Sequence, residues 1–166
     1  YVAVSNYVRD QMNLVAQMGE DGKRRNSVGF ALTTLQRRLA SSPRAIHRSL
    51  ERRARRLSDQ LDEVRNGGDL ATLSTPVVVD EDDLEEMPEA EREALEDQAA
   101  AGAFAARTVE QLEAEISVVA GLVEQAAAVR FSPSYSKWDR LRETLDDAPF
   151  MRDGAGLRRK VIIFTE

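Results

Sequence analysis

Residues 42–68 read SPRAIHRSLERRARRLSDQLDEVRNGG, and this stretch decides the fold. Ser42 can cap the free amides of a helix, and Pro43 suits a first turn, where its missing N–H has no partner to lose. From there Ile46, Leu50, Ala54, Leu57, Leu61 and Val64 recur every three or four residues until Asn66-Gly67-Gly68 breaks the pattern. The spacing predicts a helix over 43–66, roughly 35 Å long. Further along, Val109, Leu112, Ile116, Val119, Val123 and Ala126 form a near-heptad stripe, widened by Leu122 and Val129. Two helices of matched length and narrow stripe bury those stripes best against each other, antiparallel across a long connection.

The remaining segments fit around that pair. Val4, Val8, Val15 and Met18, with Tyr7 and Met12 beside them, predict a helix that opens without a capping residue, so a natural chain continuing upstream is expected. Gly19, Asp21 and Gly22 break it, and Val28, Leu32, Leu35 and Leu39 start another stripe, so two short helices are expected before Ser42. Residues 69–88 change to threonine, serine, proline, three valines and an acidic run, which reads as a loop or crossover. An acidic helix from near Pro88 through Ala101 follows. Ser132-Pro133-Ser134 stops the second long helix, and Trp138, Leu141 and Leu145 mark a shorter one over 136–145. After the turn signals Asp153-Gly154 and Gly156, the run Val161, Ile162, Ile163 and Phe164 has the pattern of a strand buried on both faces of a parallel sheet. Nothing else in the chain builds that sheet. The expectation is an all-α helical bundle with two long antiparallel helices over 1–158, plus a C-terminal strand over 159–166 severed from a following α/β lobe.

Composition agrees with this class. The 166 residues are 31% charged and only 5% aromatic, which disfavours a β-sandwich. Apolar residues make up 42%, and with nine glycines this reaches the globular range. No apolar run is long enough to span a bilayer, and no signal peptide opens the chain, so a cytoplasmic protein without membrane contact is expected. The absence of cysteine removes disulfides and thiolate metal sites, and a single histidine, His47, removes multi-histidine sites.

Charge is segregated. Arg37, Arg38, Arg44, Arg48, Arg52, Arg53, Arg55 and Arg56 face a single acid between them, Glu51, whereas residues 80–97 hold eleven acids against Arg92. With 29 acidic and 23 basic residues overall the net charge is -6, so any contact with nucleic acid must come from a local patch. Those eight arginines are the candidate nucleic-acid-binding residues. Arg44, Arg48, Arg52 and Arg55 share one helical ridge that could straddle phosphates, or could form a solvated face partly paired with the acidic segment. Val77-Val78-Val79 before Asp80-Glu81 imitates a Walker B strand, but no phosphate loop accompanies it, and six of the seven residues 80–86 are acidic. His47 reads as a surface or boundary histidine, since no nucleophile or carboxylate constellation surrounds it. Trp138 reads as a packing anchor. No catalytic, cofactor-binding or metal-ligating residue is assigned.

Two stretches carry a resemblance: NSVGFALTTLQRRLASSPRAIHRSLERRARRL over 26–57, and LRRKVIIFTE at the end. Together they resemble bacterial superfamily-two helicases of the Swi/Snf-like branch, related to the RNA-polymerase-recycling ATPase. In that family a helical segment with a phrase like LQRRLASSP separates two RecA-like lobes, and a phrase like KVIIFTE opens the second lobe, as Lys160 to Glu166 does here. The resemblance covers about a third of the chain and implies an accessory region without a catalytic site of its own. It would pack on the flanking RecA-like lobes and help grip duplex DNA or set the lobes' relative motion. ATP and magnesium are then cofactors of the larger protein and none is expected here, because Walker A, the acidic box and the arginine finger lie outside these residues. The alternative is a protein-interaction scaffold whose acidic segment docks a basic partner.

Overall fold

The computed structural model describes residues 1–17, 22–73, 87–106, 108–132, 136–147, 151–160 and 162. They form helices α1 (Val2–Ala16), α2 (Gly22–Ser41), α3 (Pro43–Arg65), α4 (Leu70–Leu73), α5 (Glu89–Gly102), α6 (Val109–Arg130) and α7 (Ser136–Asp147). The fold is all-α, with no strand among the described residues. The stretch before Ser42 holds helices of 15 and 20 residues, longer than its composition suggests. Their length follows from α2, whose Val28, Leu32, Leu35 and Leu39 are all buried and give it a continuous docking face.

Helix α3 starts as its sequence dictates. Ser42 accepts a hydrogen bond from the Ala45 amide at 3.1 Å, and Pro43 occupies the first turn. Its other end closes in a Schellman motif: the Gly67 amide donates to Val64 O and the Gly68 amide to Glu63 O, at 3.0 and 2.9 Å. Gly67 takes φ +100, and a Cβ on Gly68 would lie 2.9 Å from the Glu63 carbonyl oxygen, so both glycines are required. Helix α6 is capped by Thr108, whose hydroxyl accepts from the Gln111 amide at 3.2 Å. In that exposed first turn, backbone and Thr108 hydrogen bonds hold the Glu110 carboxyl below its ordinary value.

Helices α3 and α6 pack against each other as an antiparallel pair. Arg65 near the end of α3 bonds Glu113 near the start of α6, while His47 near the start of α3 meets Arg130 at the end of α6. Leu50, Leu57 and Leu61 of α3 meet Leu112, Val119 and Leu122 of α6 in a core completed by α1, α2 and the end of α5. Val109, Ile116, Val123 and Ala126 are partly buried against that core. Val129 is not part of it: one residue from the end of α6, it is 56% exposed. Helix α5 packs on α2 and α3 with Ala99 and Ala100 buried near its end, and the run that follows it buries Ala103, Phe104, Ala105 and Ala106 in the core.

Toward the C-terminus, Arg152 and Arg158 form an isolated antiparallel bridge around a turn in which Gly156 adopts φ +79. Of the expected strand, Val161, Ile163 and Phe164 lie outside the described residues, as do the triple valine and residues 80–86. The Trp138 side chain lies outside them too, while Leu141 and Leu145 are half-buried. No helix among the described residues is long and apolar enough to cross a membrane.

Candidate nucleic-acid interface

The eight arginines do not act as one patch. Arg53 is 0% exposed and belongs to the core, which removes it from the predicted contact set. Its position explains this: it stands three residues after Leu50 and four before Leu57, so it falls on the apolar stripe of α3. There Nε donates to the Tyr7 hydroxyl, Nη1 to the Ala100 carbonyl and Nη2 to Glu115 Oε1, each at 2.7 Å. The Tyr7 hydroxyl donates in turn to Glu115 Oε1 at 2.7 Å. One guanidinium thereby joins α1, α3, α5 and α6. Tyr7, Glu115 and Arg53 follow the same rule, each being a polar side chain on the buried stripe of its helix.

Burial, then the Glu115 carboxylate, pushes the Tyr7 phenol well above its ordinary value, against the opposing pull of Arg53. The unfolded phenol loses its proton near pH 10, whereas the folded one keeps it, so the unfolded state binds fewer protons above that pH. Stability from this group is therefore complete below about pH 10 and falls above it, by up to ~1.4 kcal/mol per pH unit. In denaturant titrations between pH 9 and 11.5, Tyr7→Phe should start less stable but decline less steeply than the unaltered chain. Parallel declines would refute the assignment.

Three further arginines are engaged by α5. Arg37 and Arg38 form ion pairs with Glu96 and Asp97 respectively, Arg38 also donates to the Ser49 hydroxyl at 2.6 Å, and Arg52 binds Asp97 at 2.8 Å. Arg92 of α5 lies 3.8 Å from Glu96 as well. Part of the acidic segment is thus consumed within the fold.

What remains are Arg44, Arg48, Arg55 and Arg56, all exposed and without a carboxylate partner among the described residues. Arg44, Arg48 and Arg55 share the outer face of α3, with spacings of four and seven. Arg56 turns toward Gly102 at the end of α5. At the Arg44 end stands His47, which is buried rather than on the surface. Arg130 Nη1 donates to its Nδ1 at 2.8 Å, and Glu51 Oε2 lies 3.4 Å from the same nitrogen. The imidazole edge meets the Phe131 ring at 6.1 Å, and the Arg130 guanidinium covers that ring at 4.8 Å. Sequence reading passed over Phe131 because it falls after the last stripe position, in the turn where α6 stops.

Among the described residues no group of histidine, aspartate and glutamate could hold a metal ion. Compared with protein-family models, curated proteins and solved structures, the chain matches none.

Proposed function

We propose that these residues form the helical accessory domain of an ATP-dependent DNA translocase, contributing phosphate contacts and no catalytic group of their own. The observation that carries this reading is the outer face of α3, where Arg44, Arg48 and Arg55 stand exposed with no carboxylate partner among the described residues. Guanidinium groups so spaced on a rigid helix can reach successive phosphates, and they fix position without reading sequence. The resemblance of residues 26–57 and of the C-terminal phrase to Swi/Snf-like helicases supplies the context: RecA-like lobes on either side, with ATP and magnesium bound there. The scaffold alternative is less favoured, because Glu96 and Asp97 already serve Arg37, Arg38 and Arg52.

Replacing Arg44, Arg48 and Arg55 together by glutamine should weaken binding to duplex DNA regardless of its sequence. It should also flatten the plot of log affinity against log salt by about 2–3 in slope, since each lost phosphate contact retains its counterion. Helix content should be unchanged, because the three side chains lie outside the core. Anisotropy titrations at several salt concentrations check this, and an unaltered slope would return the face to an ordinary solvated surface.

A further inference from the structure

The start of α3, where the basic strip begins at Arg44, lies against an exposed aromatic ring at the end of α6. Phe131, at the C-terminal end of α6, is 71% exposed. The ring is nonetheless held in place: its backbone amide caps α6 by donating to Ala127 O at 2.9 Å, His47 meets it edge-on, and the Arg130 guanidinium lies over it. His47 is itself fixed between Arg130 and Glu51, and Arg44 stands one helical turn before it on α3. Val129, two residues before it, is exposed as well. A positioned, largely exposed aromatic ring, covered by Arg130, therefore stands against the start of α3, one helical turn from the first of its open guanidinium groups.

We propose that Phe131 is a stacking platform for an unpaired base of a single-stranded nucleic acid whose phosphates run along Arg44, Arg48 and Arg55. The chemistry favours this occupant. An aromatic face offers every base a stacking partner without sequence preference, while adjacent cations neutralise the backbone that follows. A duplex keeps its bases stacked on each other and can use only the arginines. This inference rests on the proposed phosphate contacts and extends them, assigning the domain a preference for single strands or for the junction where strands part.

The test compares three DNA probes on the protein: a thymidine oligomer, an abasic oligomer of the same length, and a duplex. The abasic chain keeps every phosphate and lacks the bases. Phe131→Ala should lower affinity for the thymidine oligomer about five- to a hundredfold, leaving the abasic oligomer, the duplex and the salt slope unchanged. Phe131→Trp should retain the affinity. Because the ring is exposed, the alanine variant should unfold at the same denaturant concentration as the unaltered chain, which separates lost stacking from lost structure. Equal losses on the thymidine and abasic oligomers, or no loss on either, would overturn the stacking role while leaving the arginine contacts in place. Failure of the unaltered protein to bind any of the three would overturn both readings. Binding to a polyglutamate peptide but to none of the DNA probes would reassign the surface to an acidic protein partner and also overturn the proposal.

Discussion

Methionine in place of Arg53 is expected to lower the free energy of unfolding by about 3–5 kcal/mol, the usual cost of leaving one half of a buried ion pair without its partner. The guanidinium is fully buried, and its three hydrogen bonds at 2.7 Å reach Tyr7, Ala100 and Glu115. Burial opposes the charge, but the oxygens of Tyr7 and Glu115 outweigh it and hold the guanidinium above its ordinary value. Methionine fills similar volume, so packing loss is small. The loss comes from Glu115, whose carboxylate stays buried with the Tyr7 hydroxyl but without the guanidinium, and from the Ala100 carbonyl, which loses the Arg53 donor. Chemical denaturation followed by circular dichroism measures the difference. The combination Arg53→Met, Glu115→Leu and Tyr7→Phe should regain most of it, because no uncompensated charge remains. A loss below about 1 kcal/mol in the single variant would mean that water reaches the cluster and the network is not closed.

Phe104→Ala should cost a comparable 3–5 kcal/mol, for a different reason. Phe104 is 0% exposed and lies in the extended run between α5 and α6, flanked by Ala103, Ala105 and Ala106. Alanine neighbours have no longer rotamers with which to fill a void, so the cavity left by the ring collapses little and the transfer and cavity terms add. The same truncation at Phe131 should leave stability within about 0.5 kcal/mol, since that ring is on the surface. If the two alanine variants proved equally stable, the placement of the 103–106 run in the core would be wrong. Heat or denaturant unfolding of the pair settles the matter in one comparison.

Much of the framework is legible in the sequence. Ser42, Pro43, Asn66, Gly67 and Gly68 bound α3 through local chemistry alone, because a cap hydroxyl, a fixed φ and a left-handed glycine act within a few residues of themselves. Periodicity likewise identified the faces that α3 and α6 bury. Two side chains depart from the expected pattern. Arg53 stands among charged neighbours in Arg52-Arg53-Ala54-Arg55-Arg56, yet its spacing from Leu50 and Leu57 puts it on the apolar stripe, and it is buried there. Val129 extends the stripe of α6 in sequence, but α6 ends beside the start of α3, and there its side chain is 56% exposed.

What the chain alone determined, then, is the class of fold, the two long helices, their ends and their buried faces, since each depends on residues a few positions apart. The tertiary structure decided which charges face water. Arg53 and Glu115 are 62 positions apart, Tyr7 and Glu115 108, and Arg52 and Asp97 45. No periodicity spans such separations, and a guanidinium has the same composition whether it meets a carboxylate, a carbonyl or solvent. Only the packing of α5 against α2 and α3 divided the arginines into those spent inside the fold and the few left open on α3, and only the end of α6 against His47 set an exposed ring beside them.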